Sequence, residues 1–183
     1  MTTKFILHGG FADHINEKND KFFQEILNTD KEQLKILLVY FAKELSRYDE
    51  LKEKSLNQFK KNNSEKDLGF EVAYEDKFIE QAQKADIIYF HGGKTLKLLD
   101  TLKKYGNLKE VFQKKTVAGE SAGAYVLSTC FYTKTEKGIF KGLGFAPVKT
   151  ICHYIGENRE KLKDCNEDLE ELLLPDYEYK VFN

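Results

Sequence analysis

Two short runs, Ile36-Leu37-Leu38-Val39-Tyr40-Phe41 and Ile87-Ile88-Tyr89-Phe90, are apolar at every position. A strand with one wet face alternates polar and apolar residues; one that is apolar on both faces needs cover on each side. That requirement points to a parallel sheet between helices. Similar compact runs at Lys4–His8, Lys35–Ala42, Phe70–Tyr74, Asp86–Phe90 and Thr116–Ala118 predict strands. Between them, Leu45, Tyr48, Leu51, Ser55/Leu56 and Phe59 recur at helical spacing, with Lys and Glu on the other face. Phe78, Ile79 and Ala82 form a second stripe, and Leu96, Leu98, Leu99 and Leu102 a third. Strand–helix alternation of this kind predicts an α/β fold, a three-layer sandwich around a mostly parallel central sheet. The polar segment Lys60–Asp67 reads as a surface loop. Without an internal repeat or a dividing linker, residues 1–183 read as one domain.

Composition narrows the function classes. Hydrophobic residues make up 41% and charged residues 32%, the balance of a globular chain. With 29 basic against 30 acidic side chains, no positive surplus exists to hold a phosphate backbone, so nucleic acid is a poor partner. No apolar run approaches bilayer length, and the apolar patch at Phe5-Ile6-Leu7 is too short for a signal peptide. Cys130, Cys152 and Cys165 are odd in number and lack C-x-x-C spacing. That argues against a disulfide framework or a zinc site and for a reducing, cytoplasmic setting.

The segment most informative about chemistry is Lys115-Thr116-Val117-Ala118-Gly119-Glu120-Ser121-Ala122-Gly123-Ala124. A β-branched run enters a G-x-S-x-G turn and a small-residue helix leaves it, the context a nucleophile elbow requires. The turn is so tight that side chains two before and two after the serine would collide with backbone, hence Gly119 and Gly123. It lifts the Ser121 hydroxyl off the sheet edge and aims the Ala122 N–H where an oxyanion would form. The plainer alternative is a glycine-rich strand–helix turn with a serine cap.

A second glycine turn, His91-Gly92-Gly93-Lys94-Thr95, follows the Ile87–Phe90 strand. Parallel sheets place their sites at the carboxyl edge, so Gly92 and Gly93 are expected to supply the rest of an oxyanion hole. The competing reading is an ordinary strand–helix loop. A serine also needs a base. His14 lies in a polar stretch without site context, whereas His8, His91 and His153 each end a β-type run. Periodicity alone leaves the choice among those three open.

Together these segments resemble peptidase family S51, the relatives of aspartyl dipeptidase (peptidase E) and cyanophycinase. The resemblance runs through Gly9-Gly10, His91–Thr95 leading into Leu98-Leu99, the Gly119–Ala124 elbow, Gly142-Leu143-Gly144-Phe145 and Cys152-His153-Tyr154. It implies a flavodoxin-like sandwich of the class I glutamine amidotransferase type. It also implies Ser121 as nucleophile, His153 as base and Glu136 as the acid that orients the imidazole. Within the resemblance, peptidase E relatives act on N-terminal aspartyl bonds, for which a basic side chain is the natural partner; the chain's arginines are Arg47 and Arg159. Two departures stand out: Lys94 where relatives carry Asn, and Glu120 where a neutral residue is expected. The C-terminal run Leu172–Phe182 reads as one closing hairpin or strand.

The resulting expectation is a serine-type peptidase working through a Ser-His-Glu triad and an acyl-enzyme. Its substrate is a small peptide, and it needs no cofactor and no metal. Neither nucleic acid nor a membrane is an expected partner, and a homodimer is left open. An amidotransferase or thiolate enzyme is disfavoured, because Ser121 holds the elbow and Cys152 reads as a buried small hydrophobe. A catalytically inactive amidotransferase-like binding protein and an esterase or amidase are the alternatives.

Overall fold

The computed structural model describes residues 2–63, 65–165 and 168–183. Ser64, within the expected polar loop, lies outside the described residues. In chain order the elements are β1 (Lys4–His8), α1 (Glu17–Leu27), β2 (Gln33–Val39), α2 (Tyr48–Lys61), β3 (Asp67–Val72) and α3 (Phe78–Lys84). They continue with β4 (Ile87–Phe90), α4 (Thr95–Lys103), α5 (Leu108–Val111), β5 (Thr116–Glu120) and α6 (Ala122–Leu127). The last are β6 (Ser128–Thr133), β7 (Gly138–Lys141), β8 (Ala146–Cys152), β9 (Glu170–Leu174) and β10 (Tyr179–Phe182). Short 3-10 turns at Leu45–Arg47 and Arg159–Asp164 precede α2 and β9.

The central sheet runs β10-β1-β5-β4-β2-β3, parallel except for β10, which pairs antiparallel with β1 at the edge. Its doubly apolar strands do what their sequence requires. Leu37, Val39, Ile88 and Phe90 enter one core with Phe78, Leu98 and Phe112. Their neighbours Ile36, Leu38, Ile87 and Tyr89 enter another with Phe22, Phe23 and Phe59 from α1 and α2. Each such side chain contributes about 1.5–3 kcal/mol when fully buried. Helix α1 starts at Asn16, whose side chain accepts from the Lys18 N–H.

The second half departs from the sequence reading. The helix leaving the elbow lasts six residues and gives way to a four-stranded sheet of order β7-β6-β8-β9. That sheet shares a core with the first through Phe131, Val148, Leu172 and Leu174. Leu172–Phe182 is neither one hairpin nor one strand. Strand β9 pairs parallel with β8, Pro175 ends it, and the chain crosses to the other sheet as β10. Cys130 on β6 and Cys165 are joined as a disulfide with Cα atoms 6.4 Å apart, against the expectation from their number and spacing. Among the described residues no helix is long and apolar enough to cross a membrane.

Candidate active site

Ser121 sits between β5 and α6 with φ 48 and ψ −101, a backbone state that a non-glycine residue adopts only when its surroundings enforce it. The enforcement is visible. Its N–H donates to His8 O at 2.9 Å, and its own carbonyl accepts from the Tyr125 N–H at 2.9 Å. The two glycines around it are required by contact. A Cβ on Gly119 would lie 2.5 Å from the Gly123 carbonyl carbon, and one on Gly123 would lie 2.6 Å from Phe90 O.

His153 follows β8 and reaches back over this turn. Its Nε2 lies 2.9 Å from Ser121 Oγ, and its Nδ1 lies 2.6 Å from Asp176 Oδ1, in the turn between β9 and β10. A carboxylate that accepts a hydrogen bond from Nδ1–H keeps the proton on that nitrogen and leaves Nε2 free to accept from the serine hydroxyl. The imidazole is held from several directions. Its backbone N–H donates to Gly9 O at 3.1 Å, and a Cβ on Gly10 would overlap the ring. The Tyr125 hydroxyl grips the preceding residue, accepting from the Cys152 N–H at 3.0 Å and donating to Cys152 O at 3.3 Å. Cys152 itself is buried, and burial pushes its thiol well above the ordinary value, as suits an apolar filler.

Two expected assignments do not match the geometry. Glu136 is not behind the imidazole: it lies in the turn between β6 and β7 and accepts from Thr133 Oγ1 at 2.7 Å. The acid at Nδ1 is Asp176, brought there by the crossing between sheets. Gly92 does not offer its N–H to the cavity, because that group donates to Glu120 Oε1 at 3.0 Å. Gly93 lines the cavity, and Ala122 opens α6, where the N–H has no intrahelical acceptor. His14, read as lacking a site context, lines the cavity as well.

Glu120, the unexpected residue, points inward and is 4% exposed. It accepts from the Ala12 N–H at 2.9 Å as well as from Gly92, and His91 Nδ1 lies 3.1 Å from Oε1. Burial alone would push its carboxyl up; His91 and the Gly92 N–H lead the interactions that outweigh it and hold the group below its ordinary value. Glu120 therefore ties the loops after β1 and β4 to the elbow. His91 is engaged there, and His8 is fully buried against Asn19, which removes both from reach as the base. Lys94 pairs with Glu44 at 3.0 Å on the surface.

Ser121 and His153 open onto a cavity of about 440 Å³. Phe11, His14, Lys43, Arg47, Gly93 and Lys134 are among its lining residues. Among the described residues no group of three or more His, Cys, Asp or Glu side chains is placed to hold a metal ion.

The family model described as Peptidase family S51 matches residues 5–173. The chain belongs to peptidase family S51. It is accordingly a serine-type peptidase. Among solved structures, a peptidase from an acI-B1 Actinobacterium superposes with a TM-score of 0.70 at 22% identity, covering 100% of this chain and 84% of that one. A candidate peptidase E from Listeria monocytogenes EGD-e superposes at 0.68 with 20% identity, covering 100% and 98%. At such identities the likeness speaks to the shared α/β fold alone. No curated protein matches the chain.

Proposed function

We propose that this S51 chain cleaves small peptides through an acyl-enzyme, with Ser121 as nucleophile, His153 as base and acid, and Asp176 as the residue that orients the imidazole. The observation that carries the reading is the continuous line from Ser121 Oγ to His153 Nε2 at 2.9 Å and from Nδ1 to Asp176 at 2.6 Å. Ser121 Oγ adds to the scissile carbonyl while Nε2 takes the hydroxyl proton. The oxyanion faces the N–H groups of Gly93 and Ala122. Nε2 then returns the proton to the amine nitrogen, the C–N bond breaks, and an ester to Ser121 remains. Water, deprotonated by the same nitrogen, releases the acid and restores the serine.

The acyl side of the substrate carries an N-terminal aspartyl residue in this reading. Lys43 and Arg47 line the cavity and offer cations to its carboxylate. Lys43 follows Ala42, whose carbonyl accepts from the Lys94 N–H at 3.0 Å, so it arrives on the loop that backs the Gly93 turn. Arg47 is shared with Glu50 at 3.1 Å, an exposed pair that a substrate carboxylate can displace at little cost.

A fluorophosphonate probe followed by intact mass tests the mechanism. The protein should gain one adduct, mapped to Ser121, and Ser121→Ala should gain none. His153→Ala should label more slowly by about 10³-fold or more. Absence of the adduct from the unaltered protein would favour an inactive binding protein. An Asp-X dipeptide series set against simple esters then separates a peptidase from an esterase.

A further inference from the structure

Phe11, in the loop after β1, is 44% exposed and holds its backbone at φ 58. That region is unfavourable for a bulky side chain, so something must keep it there. Asn19, fully buried on α1, donates from Nδ2 to both Phe11 O and His14 O at 2.8 Å. Its Oδ1 accepts from His8 Nε2 at 3.0 Å, while His8 Nδ1 accepts the Gly10 N–H at 3.1 Å. Burial lowers the pKa of His8, which favours the neutral ring, and the Gly10 N–H on Nδ1 leaves the proton on Nε2. A buried His–Asn pair thus fixes where one exposed aromatic ring stands.

It stands against His153. The Phe11 ring meets the imidazole edge-on with centroids 5.2 Å apart, and stacks on His14 at 4.8 Å. Tyr177, beside Asp176, flanks both at 6.3 Å. In acyl transfer Nε2 hands its proton to the departing amine, so the leaving group must lie on the imidazole's side of Ser121. The cations Lys43 and Arg47 belong instead to the loop associated with Gly93.

We infer that Phe11, flanked by His14 and Tyr177, is the leaving-group subsite and selects peptides with an aliphatic or aromatic residue after the scissile bond. The inference rests on the Ser121–His153 hydrolase reading. An apolar side chain there covers an exposed ring that is already rigidly placed, so little ordering opposes the contact. The contact lasts only until the C–N bond breaks, so it acts on kcat/KM.

The test is kcat/KM for Asp-Phe, Asp-Leu, Asp-Ala and Asp-Gly. The protein should prefer the first two over Asp-Gly by about tenfold. In Phe11→Ala, and in Phe11→Asn, whose side chain tolerates positive φ, that ratio should fall to within about twofold. An unaltered protein that labels at Ser121 and cleaves the series without preference overturns the subsite alone. A ratio unchanged in both variants overturns it too, even if all rates drop together. A protein that neither labels nor cleaves overturns the subsite together with the hydrolase reading.

Discussion

The two sides of Ser121 are built by different means. On the elbow side the turn itself is local: β5 leads straight into it and Gly119 meets Gly123, while Phe90 of the neighbouring strand backs Gly123. On the imidazole side nothing is local. His153 comes from the second sheet, Asp176 from the crossing between sheets, and the loop after β1 closes over both. The contrast teaches that the turn carrying Ser121 is shaped by its own glycines against the central sheet, whereas the His153 imidazole is placed by contacts between segments far apart in sequence. Asp176 is 55 residues from Ser121 in the sequence, and only the order of strands brings them to one edge.

The two carboxylates near the site follow the same division. Glu120 is buried beside the nucleophile and acts as a tie between loops, accepting from Ala12 and Gly92. Asp176 is partly exposed and bonds the imidazole.

If the imidazole side depends on remote contacts, Gly10→Ala should break it without touching the elbow. The new methyl group would occupy the position of the His153 ring. Displacement of a reacting group by about 1 Å costs about 10²-fold, so kcat/KM for an Asp-X dipeptide should fall by about that factor. Unchanged turnover would show that the loop after β1 does not position the base.

A smaller effect is expected from the tie. Glu120→Gln leaves buried N–H donors without their anionic acceptor, a loss of about 2 kcal/mol, and the melting temperature at pH 7 should fall by about 4–8 °C. The pH dependence has a defined sign. The folded carboxyl titrates below its unfolded value, so its stabilisation is complete above that value, about 4.3 for a free Glu, and fades as pH falls through the folded pKa. The gap in melting temperature between the two proteins should therefore narrow in acid. A gap that widens there would mean that Glu120 is held protonated.

The legible part of the molecule follows the same contrast. Compact apolar runs and helical stripes make the five parallel strands legible, and for β2 and β4 the need for cover on both faces is written in their own residues. The elbow was legible for the same reason, since its glycines are needed by a turn five residues long. Helix α1 could have been found from the Asn16 cap and the spacing of Phe22, Phe23, Ile26 and Leu27. The second sheet was harder, because a small-residue helix promises more length than the six residues it delivers. Asp176 had one faint signal: Pro175 ends an apolar strand and leaves the next side chain in a turn. The family resemblance points to Glu136, and nothing in its own loop reveals that Thr133 holds it. Gly92 reads as an oxyanion donor until the inward turn of Glu120 is seen.

The proposed mechanism has His153 oriented by Asp176. It is tested most directly by the second-order rate of Ser121 labelling by a fluorophosphonate in Asp176→Asn and Glu136→Gln. Asp176→Asn should lose about 10³–10⁴-fold, through the wrong imidazole tautomer, and Glu136→Gln should stay within about twofold of the unaltered protein. The reverse pattern, a collapse in Glu136→Gln with Asp176→Asn intact, would contradict it.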